Sequence, residues 1–241
     1  MEAPKNLQDL PFDILDRIFK TLELEDQMEL IEVHPKLWVA FVEHCRYTRS
    51  FVVLKMGSNV SNLVRLCGST MIHLKFMNPS DVHPLLPDVE RYCVNLETIS
   101  FGADNSNCDA IKSFVESSPK LGSVELVLEG GSMADICLVF PMFEGVPKVK
   151  HLRLYNFAGH SVIKNCIRGF VDLEELTVGD RSQYISGPIW HLFIFDLLCK
   201  LRRLRWLTVE NWVVTLKGEL LIHCLMSEEL TLVNCQLKYF K

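Results

Sequence analysis

The sequence predicts an α/β fold in two parts: a short three-helix module over residues 1–48, then a curved solenoid of repeated strand-and-helix units over residues 49–241. Two patterns carry this expectation. From Leu10 onward, apolar residues recur at helical spacing, and from Leu74 an apolar-x-apolar step returns at intervals of 25, 25, 28, 24, 31 and 23 residues.

The module reads in order along the chain. Asn6 or Asp9 is placed to cap a first helix, and Pro11 sits where a missing N–H costs nothing. Ile14, Leu15, Ile18, Phe19 and Leu22 then follow at the three-and-four spacing of one helix side, opposite Asp13, Asp16, Arg17 and Lys20. Glu23 to Asp26 reads as a polar turn before a second stripe of Leu30, Ile31 and Val33. Pro35 ends that stripe and opens a third helix from Lys36 to about Cys45, with Leu37, Trp38, Phe41 and Val42 on its apolar side. A unit this small buries too little surface to stand alone, so its apolar faces need a partner.

The repeated steps are Leu74-Phe76, Ile99-Phe101, Val124-Leu126, Leu152-Leu154, Leu176-Val178, Leu207-Val209 and Leu230-Leu232. Their period-two alternation predicts short strands with one buried face. Helical stretches are expected between them around Ala110 to Val115, Val162 to Phe170 and Ile189 to Leu201. Asn78, Asn156, Asn211 and Asn234 recur two residues after the step, where their side chains can satisfy backbone groups in the turn leaving a strand. No repeat buries its own apolar face, so six or seven of them stack to share a core, with parallel strands inside and helices outside.

Composition excludes several classes. Ten of the 30 acidic residues lie before residue 49 against five of the 25 Lys and Arg, so the whole net charge of −5 belongs to the module. Without a basic stripe the chain has no electrostatic footprint for nucleic acid. The first residues lack a signal-peptide layout, and Ile189 to Leu201 is too short to span a bilayer, so no membrane partner and a cytoplasmic and/or nuclear location are expected. Nine unclustered cysteines read as reduced thiols, and neither a metal set nor a cofactor-binding signature is present. Nucleophile elbows, phosphate loops and His-Glu-x-x-His are missing too, which points away from an enzyme.

Leu10-Pro-x-Asp-Ile-Leu-x-x-Ile-Phe-x-x-Leu22, with Asp26, Leu30, Val33 and Leu37, resembles the F-box. Gln27 stands where that family prefers Leu, and Trp38 comes one residue after the usual Trp position. The fuller steps, such as Leu96-x-x-Ile99-x-Phe101 and Leu173-x-x-Leu176-x-Val178, are similar to the leucine-rich-repeat strand motif. Together the resemblances imply a substrate receptor of a Skp-cullin-F-box ubiquitin ligase. In such a receptor Leu10, Pro11, Ile14, Leu15, Ile18, Leu22, Leu30 and Val33 form or support the contact with the Skp adaptor, and through it with the cullin ligase core. A protein substrate is expected on the outward strand face, for which Lys75, Arg153, Tyr155, Trp206 and Glu210 are the candidates. The loop from Gly179 to Gly187 is a second candidate surface. The alternative is a non-catalytic leucine-rich-repeat scaffold with no link to ubiquitin transfer.

Overall fold

A computed structural model describes residues 6–47, 50–53, 60–76, 79–104, 106–128, 148–156, 163, 167, 169–181, 201–217 and 229–240. Three helices open the chain, α1 (Phe12–Thr21), α2 (Leu24–Glu32) and α3 (Pro35–Tyr47), after one 3-10 turn at Leu7–Asp9. Asn6 belongs to that turn: its N–H donates to Asp9 Oδ2 at 3.1 Å. Pro11 is the N-cap of α1, with its carbonyl accepting from the N–H groups of Ile14 and Leu15.

Leu15, Phe19, Leu37, Phe41 and Cys45 close the centre of the three helices, with the Phe19 and Phe41 rings 5.4 Å apart. His44 is buried beside them, and its Nδ1 donates to Asp16 Oδ1 at 2.8 Å. Lys20 Nζ reaches the other oxygen of Asp16 at 2.7 Å. Hydrogen bonds from Lys20 and then His44 hold the Asp16 carboxyl below the usual carboxylate range.

The remainder is built on an eight-stranded, all-parallel sheet in strand order β1-β2-β3-β4-β5-β6-β7-β9. The strands are β1 (Ser50–Val53), β2 (His73–Phe76), β3 (Thr98–Ala103), β4 (Ser123–Leu128), β5 (His151–Tyr155), β6 (Glu175–Gly179), β7 (Trp206–Glu210) and β9 (Glu229–Val233). Helices α4 (Val60–Cys67), α5 (Pro79–Tyr92) and α6 (Cys108–Ser117) make the first three crossovers. Of the expected helical stretches, Ile163, Ile167 and Phe170 are buried, while 189–200 lies outside the described residues.

One register runs through the stack. Leu74, Ile99, Val124, Leu152, Leu176, Leu207 and Leu230 pair in succession, so every expected step falls on a strand and every first apolar residue lies beside its counterpart. The same hydrogen-bond step repeats at each strand entry. The carbonyls of Ile72, Glu97, Gly122, Lys150 and Glu174 each accept two successive N–H groups from the next repeat, at 2.8 to 3.1 Å. At the entries to β3 through β7 these bonds hold the same phase that the alternating side chains require.

The exits are governed by asparagine. Asn156, Asn211 and Asn234 have φ of 63, 60 and 52°, left-handed values that Asn tolerates better than other residues with a side chain. Asn156 Nδ2 donates to the Leu128 carbonyl at 3.1 Å, and its Oδ1 accepts from Arg181 N–H at 2.8 Å. Asn211 Nδ2 likewise donates to the Asp180 carbonyl at 2.6 Å. The side chains of Asn156 and Asn211 therefore satisfy backbone groups of neighbouring repeats and clamp them together; Asn78 lies outside the described residues.

Several elements were not foreseen. β1 adds an eighth strand beside β2, and β8 (Val213–Lys217) pairs in parallel with β10 (Gln236–Phe240) as a small second sheet. Helix α5 forms despite Pro84 and Pro87 within it. Each proline costs about 3 kcal/mol inside a helix. Both are exposed, however, whereas Val82, Leu85, Leu86 and Val89 are buried, and at ~1.5–3 kcal/mol each these four offset the loss.

Two consequences are measurable. Leu152→Ala, at a position with 0 % exposure in the middle of the stack, is expected to cost ~2–5 kcal/mol in urea unfolding. For Asp16, whose folded pKa lies below its unfolded value, the contribution to stability is full above the unfolded pKa of about 4 and fades as pH falls through the folded pKa. The stability gap between the native chain and Asp16→Asn should thus be widest near neutral pH and close in acid, which parallel denaturant titrations would read.

Candidate functional site

The eight N-terminal positions divide by burial. Leu15 is fully buried, so it supports the helices from beneath and presents nothing to a partner. Leu10, Ile14, Ile18, Leu22 and Leu30 are half-buried, while Pro11 and Val33 are exposed, Val33 at 72 %. Phe12, absent from the expected set because it lies between Pro11 and Asp13 off the main stripe, is 49 % exposed. Lys36 ties this edge together: its Nζ donates to the Leu10 carbonyl at 3.0 Å and sits 5.8 Å from the Phe12 ring centre.

Gln27 has a local task. Its Nε2 donates to the carbonyls of Phe19 and Leu22 at 2.7 and 2.8 Å, joining the Leu22 N–H at the Phe19 carbonyl and bracing the C-terminal end of α1. Leu37 fills the core at 1 % exposure, and Trp38 packs half-buried with its ring 6.3 Å from that of Phe41.

The second surface is the sheet face opposite the aliphatic rows. Register places Lys75, Ser100, Glu125, Arg153, Thr177, Thr208 and Thr231 in one line across seven strands. A second line holds His73, Thr98, Ser123, His151, Glu175, Trp206 and Glu229. Glu125 gathers three partners: Arg181 Nη1 at 3.0 Å, Ser100 Oγ at 3.0 Å and Lys75 Nζ at 3.8 Å. Glu175 accepts from His151 Nδ1 at 2.9 Å and lies 3.5 Å from Arg153 Nη2. Among the described residues, the cations of β2 to β6 thus face carboxylates on the same surface.

Of the expected substrate contacts, Lys75, Arg153, Trp206 and Glu210 lie on this face, at least partly accessible. Tyr155 is a correction: only 5 % of it is exposed. The Arg181 guanidinium sits 3.6 Å from the centre of its ring and covers it, and burial pushes the phenol above its usual range. Arg181 itself was expected only as part of a projecting loop; residues 182–187 of that loop lie outside the described residues. The signal for the lid is Gly179: a Cβ there would fall 2.9 Å from Tyr155 Cε1 and 3.1 Å from Glu210 Cβ, so the bare glycine lets the ring lie across β6.

A polar recess of about 350 Å³ opens at the strand entries, lined by Arg46, Ser69, Thr70, Ile72, Asn95, Glu97 and Lys120. Its groups bond one another, Lys120 Nζ to Asn95 Oδ1 at 2.6 Å and Asn95 Nδ2 to the Ser69 carbonyl at 2.8 Å. Among the described residues no group of three or more His, Cys, Asp or Glu could hold a metal ion, and no helix is long and apolar enough to cross a membrane. Cys93 and Cys108 are buried, which pushes their thiols up to about 12 and leaves them as small apolar fillers.

Gly179→Ala is expected to drive the Tyr155 ring from beneath Arg181 at a cost of ~1–3 kcal/mol, read as a lower urea midpoint together with a phenol that ionises at lower pH. No protein-family model matches the chain, and no curated protein matches it either.

Proposed function

We propose that the chain is the substrate-recognition subunit of a Skp-cullin-F-box ubiquitin ligase, its N-terminal helices an F-box and its parallel stack a leucine-rich-repeat solenoid. One observation carries the reading: after α1 to α3 have closed their own centre and packed on the first repeat, Pro11 and Val33, two positions where the resemblance expects an adaptor, still face solvent, and Phe12 beside Pro11 is exposed as well. Large aliphatic and aromatic groups left outside a closed core, next to half-buried Leu10 and Ile14, are what a hydrophobic docking surface requires.

The division of labour follows from chemistry. The helices bind the adaptor, the polar strand face binds a protein substrate, and the ligase core transfers ubiquitin by proximity. Lys75, Arg153, Trp206 and Glu210 contact the substrate, and Tyr155 acts from below by supporting Arg181. A scaffold without ubiquitin transfer would use the same surfaces, and depletion separates the two: a receptor leaves some partner with a longer half-life, a scaffold alters only the composition of a complex.

The direct test is co-purification of the full chain with the Skp adaptor. Phe12→Asp combined with Val33→Asp changes exposed side chains alone, and should weaken adaptor binding at least tenfold while leaving the urea midpoint unchanged. Absence of adaptor binding by the native chain overturns the proposal.

A further inference from the structure

Among the described residues β9 has a strand neighbour, β7, on one side and none on the other. The core-facing row shows it: exposure is 1 % at Leu176, 4 % at Leu207 and 43 % at Leu230. Backbone direction shows it as well. Glu229 N–H donates to the Arg205 carbonyl, and the Val233 carbonyl accepts from Asn211 N–H, so Glu229, Thr231 and Val233 turn their backbone groups toward β7. By the alternation of a parallel ladder, Leu230 and Leu232 turn theirs toward the side away from β7.

Charge tells what chemistry suits this edge. The cations of β2 to β6 are matched by Glu125 and Glu175, but beyond them the outward face ends in Glu210 on β7 and Glu229 on β9. No ion pair to either carboxylate occurs among the described residues, and the contact to Glu229 there is the Thr231 hydroxyl at 3.2 Å. A strand laid beside β9 would set its outward side chains next to Glu229 and its core-facing side chains over Leu230 and Leu232.

We infer that the edge of β9 turned away from β7 takes an extended peptide segment as a ninth parallel strand, with aliphatic residues alternating with Lys or Arg. Main-chain hydrogen bonds to Leu230 and Leu232 supply affinity, and Glu229 with Glu210 selects basic residues over acidic ones. The inference rests on the proposed receptor role only in making that segment part of a substrate.

The probe is a fluorescein-labelled hexapeptide of alternating lysine and valine, titrated with the full chain and followed by anisotropy. Binding should fall at least tenfold when glutamate replaces its lysines, and equally when the lysine amides are N-methylated, because the outward residues of each added strand are those that bond the preceding one. Glu210→Lys with Glu229→Lys should invert the preference toward the glutamate peptide, an outcome that loss of folding cannot imitate. Equal binding of the N-methylated peptide overturns the inference, since attraction to charge alone would then account for it. So does sedimentation that finds the native chain dimeric and Leu230→Lys monomeric, which would give the edge to a second copy. Adaptor co-purification is read separately on the same variants; its failure removes the substrate role and leaves the peptide result standing.

Discussion

Seven aliphatic residues in lateral register, Leu74 through Leu230, are the contact on which the rest of the molecule depends. Each strand offers one apolar face too small to fold by itself, and the neighbouring strand supplies the missing cover. Because a slip of one residue would turn every Leu outward and every Lys or Glu inward, the paired N–H groups at each strand entry have to set the phase. The polar rows exist as rows only because that phase holds.

The two faces of the sheet therefore have different liberties. On the buried side, substitution is limited by volume, since interiors are close-packed. On the open side Glu125 draws partners from β2, β3 and the turn after β6, reaching as far as 56 residues along the sequence to Arg181. Exposed ion pairs contribute little to stability one by one. Their value lies in orientation: a face whose cations are already matched holds fixed polarity where a partner would touch it.

The strands were legible because alternating aliphatic residues over a short span have few other physical uses, and the asparagines because turns leaving strands need a side chain able to satisfy the backbone. What escaped depends on distance in the chain. Nothing adjacent to Tyr155 announces that Arg181 will cover it; the arrangement needs a bare Gly179 in the next strand and an Asn156 whose amide oxygen holds the Arg181 backbone. Helix α5 was hidden by two prolines whose local cost is outweighed by burial that only tertiary structure provides. At the N-terminus the apolar stripe was readable, yet which of its residues close the centre and which face solvent, Leu15 against Phe12, is decided by how α1 meets α3.

Stacked repeats also set how the molecule comes apart. Among the described residues, strands in the middle have neighbours on two sides, whereas β9 has one, together with a core-facing Leu230 that remains 43 % exposed. Opening β9 sacrifices a single interface and little buried surface, so the stack behaves as a zipper whose lowest-energy excursion begins at that end. A peptide bound there would close the zipper as well as occupy it: recognition and local rigidity become the same event, and the slowing of amide hydrogen exchange would spread from β9 toward β7.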